Sequence, residues 1–405
     1  MHKLDEVKVM RDPIHGYIHV EDQIIWDCIN AKEFQRLRRI HQLGGDFQVY
    51  HTAEHSRFAH SLGVYEIVRR MVNEVKELKE ALSEKDKITV MLAALLHDIG
   101  HGPFSHAFEA ICDVKHEIFT QRIILEDSEI NAILCKEDPE LPSLVAAIIN
   151  YQHPNDLLNQ LVSGQLDADR MDYLLRDAYF TGTSYGNFDL ERIIRTMRIR
   201  NGKVVVKESG IHTVEDYIMA RYHMYWQVYL HPVSRSYENM IYLLFKRMKD
   251  VYAKDPDSLR EYKMFLPFLR GGDISIQDHF ILDEPAAFYG FTLLTQCNDV
   301  ILINLATSIL NRHLFEYTQD EGEVQYSKIQ QKCRECGYDP AYYLTRDEVI
   351  QRPYQPYKTQ GGHNIYVLCD KGDVKELSEV SDIVNAIVHG KNKEDKRIFF
   401  PKAIL

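Results

Sequence analysis

The spacing of apolar and polar positions predicts a mostly helical protein. Apolar residues recur every three to four positions through Glu21–Asn30 and Ala31–His41, from near Ser56 to about Leu78, and from Ser83 to Asp98. Shorter helices are expected at Phe104–Cys112, Lys115–Leu125, Leu141–Tyr151 and Asn155–Val162. Two long ones, Thr213–Leu230 and Val233–Tyr252, are separated by His231-Pro232. Asp12 to Val20 reads as a turn and a short strand, and Asn201-Gly202 between Met197–Arg200 and Lys203–Lys207 predicts a hairpin with a type I′ turn. Beyond residue 255, helices at Glu284–Cys297, Asp299–Leu310 and Gly322–Gly337 alternate with strand-like Arg312–Tyr317, Asn364–Asp370 and Lys396–Pro401. The expected fold is mainly α: a helical core with short β-hairpins and a smaller C-terminal α+β region. We divide the chain into 1–310 and 311–405.

Several polar positions break the pattern. The apolar run Met91–Leu96 ends abruptly in His97-Asp98, followed by His101 and His106. Neighbours on a helix point about 100° apart, so this pair reaches one ion only if it sits in the notch between them. Imidazole and carboxylate together suit borderline and hard divalent metals. A lone His-Asp pair at a helix end is usually a hydrogen-bonded cap, but seven of the 19 histidines fall between His51 and His116. Arg57 and His60, three apart, share a helix face, which suits an anion held near a metal as well as a satisfied core histidine.

Asp169, Asp172, Tyr173, Arg176 and Asp177 form a second polar face, opposite Met171, Leu174, Leu175 and Ala178. An amphipathic surface helix would look the same. Arg36, Arg38 and Arg39 would on pattern alone be a solvated face. The aromatic run Tyr222–Tyr229 would usually be core, but Arg221 and His231 bracket it in the manner of a nucleotide-like ligand site.

Composition narrows the function. The 405 residues carry a net charge of −12, which argues against binding nucleic acid through a broad basic face and leaves room for a local pocket for a phosphorylated small molecule. Seven scattered cysteines do not suggest a disulfide framework, and Cys333-x-x-Cys336 reads as two free thiols. There is no apolar leader and no apolar run near the ~20 residues of a membrane span. A reducing cytoplasm is the expected compartment, with no membrane partner.

The order His60…His97-Asp98…Asp169 resembles the HD-domain metal phosphohydrolases. The flanking text is more specific. Arg57-Phe58-Ala59-His60-Ser61-Leu62-Gly63-Val64, His97-Asp98-Ile99-Gly100-His101-Gly102-Pro103-Phe104-Ser105-His106 and Asp169-Arg170-Met171-Asp172-Tyr173 are similar to the deoxynucleoside triphosphate triphosphohydrolases, the branch shared by the animal SAM-and-HD-domain enzyme and its bacterial relatives. Asp12-Pro13-Ile14-His15-Gly16 and Phe34-Gln35-Arg36-Leu37-Arg38 match the same family, so the resemblance covers roughly residues 5–250.

The resemblance implies an HD-type domain in 1–310 that hydrolyses a dNTP to deoxynucleoside and inorganic triphosphate. It implies one divalent ion (Mn, Mg, Fe, Zn or Ni) on His60, His97, Asp98 and Asp169, with Mg accompanying the nucleotide, and it turns Asp169 and the polar face around it inward. Arg57, Arg170 and Arg221 would supply fixed cations, with His101 and His106 as donors. His116 would be the general acid, oriented by Glu109, where other members often carry Asp. Tyr173 and Asp177 would meet the sugar 3′-OH, Gln42 and Leu43 would pack on the deoxyribose, and Tyr229 would stack on the base, with His231 nearby.

The resemblance further implies a homotetramer, a dimer of dimers, activated by GTP, dGTP or another dNTP between subunits. Lys8, Val9, Gln35 and Arg38 match that regulatory site. Asn30 stands where some relatives carry a guanine-reading carboxylate, and Lys207 would line an adjoining site. Two other readings stay open: an HD phosphohydrolase acting on another nucleotide, or a nucleotide-responsive binding protein.

Overall fold

The computed structural model describes residues 2–105, 107–109, 114–351, 354, 364–390 and 393–405. The chain opens in an antiparallel ribbon, β1 (Lys3–Asp12) against β2 (Gly16–Asp22), with Met10 opposite Ile18. Asp12 holds the turn: its Oδ1 accepts the amides of Ile14 at 2.9 Å and His15 at 3.0 Å, while Gly16 takes φ +72°. Pairing of Asp22 with Lys3 delays the first helix, so α1 is Gln23–Asn30 rather than starting at Glu21. The helix expected over Ala31–His41 is shorter. α2 (Lys32–Arg36) tightens into a 3₁₀ turn at Leu37–Arg39, where Arg36 leaves solvent and donates to the carbonyls of His101 and Leu282, both at 2.7 Å.

The central bundle is α3 (Arg57–Glu74), α4 (Glu84–Leu96), α5 (His116–Leu125), α6 (Leu141–Ile149), α7 (Asp156–Ser163) and α8 (Ala168–Thr181). α3 stops before Leu78 because Val75 turns extended, and a separate short helix follows at Lys76–Ala81. Ser83 and Asp86 form a reciprocal capping box that starts α4. Asp167 caps α8, and Gly182 ends it at φ +70°. The helix expected from Phe104 starts later: Phe104 and Ser105 sit at φ +60° and +48°, residues 107–109 are helical, and residues 110–113 lie outside the described residues.

β3 (Met197–Arg200) and β4 (Lys203–Lys207) form the expected hairpin, with Asn201 at φ +52° and Gly202 at +70° as a type I′ turn requires. The long aromatic helix is α9 (Ile211–Met224), which widens into a π turn at Tyr225–Tyr229 before α10 (Pro232–Lys254). α11 (Glu284–Leu294), α12 (Val300–Leu310) and α13 (Glu323–Glu335) follow.

The later strands are β5 (Glu316–Gln319), β6 (Thr345–Gln351), β7 (Tyr366–Leu368), β8 (Val374–Glu376) and β9 (Lys393–Phe400). One sheet has the order β5-β9-β6; the other runs β3-β4-β7-β8, with β7 parallel to β4 and Val205 beside Tyr366. The C-terminal region therefore completes a sheet begun by the hairpin. β1 and β6, which the pattern did not predict, are largely polar strands: apolar alternation in β1 is limited to Val7-Lys8-Val9, and β6 has only the adjacent pair Val349-Ile350.

Two apolar cores result. One joins the ribbon to the bundle and includes Ile99; the other gathers Phe104, Phe119, Tyr237, Phe245, Phe291 and Phe399 around α10 and α11. The segment after α4 crosses from the first core to the second. Among the described residues, no helix is long and apolar enough to cross a membrane.

Candidate active site

His60 enters the bundle one turn into α3, while His97 and Asp98 leave the end of α4. Asp169 stands in the first turn of α8. Ligand-type atoms of His60, His97 and Asp169 lie within 4.8 Å of one another. Asp98 joins them, Oδ1 at 3.4 Å from His97 Nε2 and Oδ2 at 3.8 Å from His60 Nε2. The structure thus brings all four expected ligands to one point.

Close helix packing makes this possible. A Cβ on Gly63 would lie 1.8 Å from Asp172 Oδ1, so only glycine lets α3 approach α8 here. A Cβ on Gly100 would meet the Thr120 amide nitrogen at 2.2 Å, so α5 closes against the catalytic loop in the same way.

The cluster calls for a cation. Burial disfavours a charged His60, but bonds to Asp169 (3.1 Å) and Asp172 (2.8 Å) outweigh it and carry its pKa up to about 10. Burial would push Asp98 up; His97, Arg57 and His60 hold it below the ordinary carboxylate range. His97 Nδ1 donates to the Ala94 carbonyl at 2.9 Å, which aims Nε2 into the cluster, where that buried atom has no hydrogen-bond partner among the described residues. An imidazole nitrogen aimed at carboxylates, in a mixed N/O donor set, fits a divalent ion.

Other expected residues cluster around this point. Arg57 is paired with Asp98 and donates to Ser105 Oγ at 2.7 Å, so its charge is already partly committed. His101 and His116 meet edge to face, ring centroids 3.6 Å apart, and Glu109 bonds His116 Nδ1. His106 lies outside the described residues.

Arg170 is paired with Asp167, whose charge raises the guanidinium pKa. Arg221 reaches Gln165 Oε1 at 3.3 Å, and its Nε has no hydrogen-bond partner among the described residues. Tyr173 stands between His60 and Tyr229, ring centroids 6.5 and 6.0 Å away. Asp177 accepts from Tyr229 Oη at 2.8 Å and bonds His55 Nε2 at 2.7 Å. His231 caps α10, Nδ1 accepting the Val233 amide at 3.2 Å, and burial lowers its pKa. Gln42 and Leu43 follow the bridge His41–Ser56, and the Gln42 carbonyl accepts from Arg57 at 3.3 Å.

The regulatory candidates are spread more widely. Arg38 donates to Gln35 Oε1 at 2.9 Å and lies 3.6 Å over the Phe58 ring. Gln35 donates to the Ile29 carbonyl at 2.7 Å, which sets it beside Asn30. Lys8 and Val9 lie on β1, and Lys207 ends β4 in another sheet.

The polar face of α8 points inward, as the resemblance implied: Asp172 and Arg176 are fully buried. Sequence reasoning missed the support that these two residues, and Glu284, give the site. An i, i+4 Asp–Arg pair was the available signal. Glu284, from α11, accepts the His41 amide at 3.0 Å and the Phe104 amide at 3.3 Å, binding the sugar-loop candidates to the catalytic loop. Nothing local could have revealed a contact across some 180 residues.

Comparison with known proteins agrees with this geometry. Residues 57–177 match the HD domain family and residues 188–265 its HD associated region. An uncharacterized Bacillus subtilis protein, YwfO, is 45% identical over all of this chain and 94% of its own length. The Dictyostelium discoideum deoxynucleoside triphosphate triphosphohydrolase SAMHD1 homolog is 31% identical over 64% of this chain, which spans 52% of that relative. The crystal structure of a Bacteroides thetaiotaomicron phosphohydrolase superposes with a TM-score of 0.86 at 29% identity, covering 98% of this chain and 100% of that one.

The family matches agree with the helical bundle and place the chain among hydrolases of phosphate compounds. The chain belongs to the HD-domain family and is an HD-domain phosphohydrolase, of a family that binds divalent metal ions.

Proposed function

We infer that the protein hydrolyses dNTPs to deoxynucleoside and inorganic triphosphate. The observation that carries this reading is the buried His60–His97–Asp98–Asp169 cluster beside the His116–Glu109 pair, with Arg57, Arg170 and Arg221 around it. The similarity to the SAMHD1 triphosphohydrolases supports the choice of substrate.

His60, His97, Asp98 and Asp169 would hold one divalent ion. When bound, the ion polarises a phosphoryl oxygen and lowers the pKa of a nearby water. Arg170 and Arg221 hold the polyphosphate, and Arg57 sets the outer face of the cluster through Asp98. Water adds to the α-phosphorus and gives up one proton to solvent, the bond to the 5′-oxygen breaks, and His116 gives its proton to that oxygen and is reprotonated from solvent. Glu109 keeps the imidazole oriented for this transfer. Gln42 and Leu43 pack against the deoxyribose, Tyr173 and Asp177 meet its 3′-OH, and Tyr229 stacks on the base.

The reading extends to regulation. A guanine nucleotide or another dNTP binds at Lys8, Val9, Asn30, Gln35, Arg38 and Lys207 between subunits of a homotetramer. The test is purified protein with Mn or Mg, each dNTP alone, and each with a trace of GTP or dGTP, with products resolved by ion exchange. Nucleoside plus intact triphosphate, appearing only with the guanine nucleotide, is the expected result. Triphosphate without any activator would keep the chemistry and remove the gating. Orthophosphate or pyrophosphate release would overturn the reaction, and no turnover with metal bound would favour a binding role.

A further inference from the structure

The Asp12–Gly16 turn has no part in the chemistry above, yet it reaches the back of the cluster. His15, almost fully buried, places Nε2 2.6 Å from Asp172 Oδ1. Asp172 Oδ2 accepts from His60 Nδ1 at 2.8 Å. Arg176 donates Nε to Oδ2 and Nη2 to Oδ1, both at 2.9 Å, and bonds Asp12 Oδ2 at 2.8 Å. Two donors on each oxygen saturate the carboxylate. Its orientation is fixed, and with it the plane and tautomer of His60: Nδ1 keeps the hydrogen and Nε2 faces Asp169. Asp12 closes the circuit, because one oxygen takes Arg176 while the other takes the amides of Ile14 and His15.

We propose that His15 is a positioning residue for the metal site, acting through Asp172 on His60, so that docking of the N-terminal ribbon turn and metal affinity are one coupled equilibrium. The proposal rests on reading His60 as a metal ligand. It also explains the Asp-Pro-Ile-His-Gly motif. Asp12 shapes the turn, Pro13 and Ile14 carry the chain across, and His15 delivers a hydrogen bond to Asp172. A partner bonded directly to a ligating histidine, as Asp172 is to His60, typically contributes about ten- to a hundredfold to metal affinity; His15 acts one residue further out, and its share is the lower end of that range. Coupling of this kind is reciprocal.

The experiment is Mn(II) titration of the full chain, with free Mn counted by electron paramagnetic resonance and thermal unfolding recorded alongside. His60→Ala should abolish tight binding. His15→Ala should weaken it by about 10-fold, while His15→Gln, whose amide can still donate to Asp172, should recover most of the affinity. Unchanged Mn affinity in a folded His15→Ala protein overturns the proposal. Unchanged affinity in His60→Ala overturns the metal reading itself, a separate failure.

A second measurement needs no variant. In wild-type protein labelled with ¹⁵N-histidine, Zn(II) should move the His15 ring resonances at the same stoichiometry as those of His60 and His97. Static His15 signals while the other two move would overturn the coupling.

Discussion

The candidate metal cluster and the N-terminal regulatory candidates are built in opposite ways. His60 is fully buried, and its partners Asp169 and Asp172 lie 109 and 112 residues away. Arg57 and Asp98 are paired across 41 residues. Among the N-terminal candidates the bonds are short in sequence: Lys8 with Glu6, Asn30 with Trp26, Gln35 with Ile29, Arg38 with Gln35. Val9, Asn30 and Arg38 are exposed and Lys8 is half-buried. The first region is preorganised by this one chain, with its side chains fixed before a ligand arrives. The second holds its groups loosely at the surface, the arrangement expected of a site completed by a ligand or a second subunit.

The largest blow to the preorganised side is Asp98→Ala. It removes a ligand candidate and leaves Arg57 buried without its partner, so hydrolysis should drop about 10⁴-fold, together with loss of bound Mn by elemental analysis. His116→Gln should cost about a thousandfold in kcat with Mn affinity unchanged, which separates the proton donor from the ligands. Gly63→Ala should destabilise by about 3 kcal/mol, because its methyl would have to occupy the space of Asp172 Oδ1; denaturant unfolding checks it.

A pH effect comes next. Burial and the nearby Asp177 push Asp46 up to about 7 despite its bond to Ser234. A carboxyl raised above its unfolded value of about 3.9 binds its proton more tightly when folded. Its contribution to stability is therefore full at low pH and is lost as pH climbs from about 4 towards 7, on the order of 2 kcal/mol after local relaxation. Glu238, pushed to about 8 by burial, Asp46 and Asp347, adds to the same slope. Thermal unfolding between pH 5 and 8 should show a falling Tm that Asp46→Asn flattens.

The smallest effect sharpens the comparison from the other side. Lys8→Ala and Arg38→Ala should shift stability by less than about 0.5 kcal/mol and leave Mn affinity intact. Only the response to added guanine nucleotide should change. A large loss of Tm in either would show that these candidates are structural.

Much of this was legible in the linear pattern because it is encoded locally. Helical spacing, the Asn201-Gly202 turn and the abrupt His97-Asp98 ending of an apolar run are short-range signals, each tied to backbone geometry within one or two turns. Donor residues that interrupt regular patterns drew attention to His60, His97, Asp98 and Asp169, but on pattern alone caps and a surface helix were the commoner explanations; the family resemblance made them ligand candidates. Periodicity left open which face of α8 meets water, because two amphipathic faces look alike in sequence; the family resemblance turned the Asp169 face inward, and packing against Gly63 on one side and the bundle core on the other is what buries Asp172 and Arg176.

The break of the Ala31–His41 helix, the π turn at Tyr225–Tyr229, the pairing of β7 with β4 and the reach of Glu284 to His41 and Phe104 were likewise decided by tertiary structure. The reason is common to all of them. A buried charge or an unpaired backbone group must find a partner wherever the fold puts one. For Arg36 that partner was 65 residues away, for Glu284 about 240, and for His15 157.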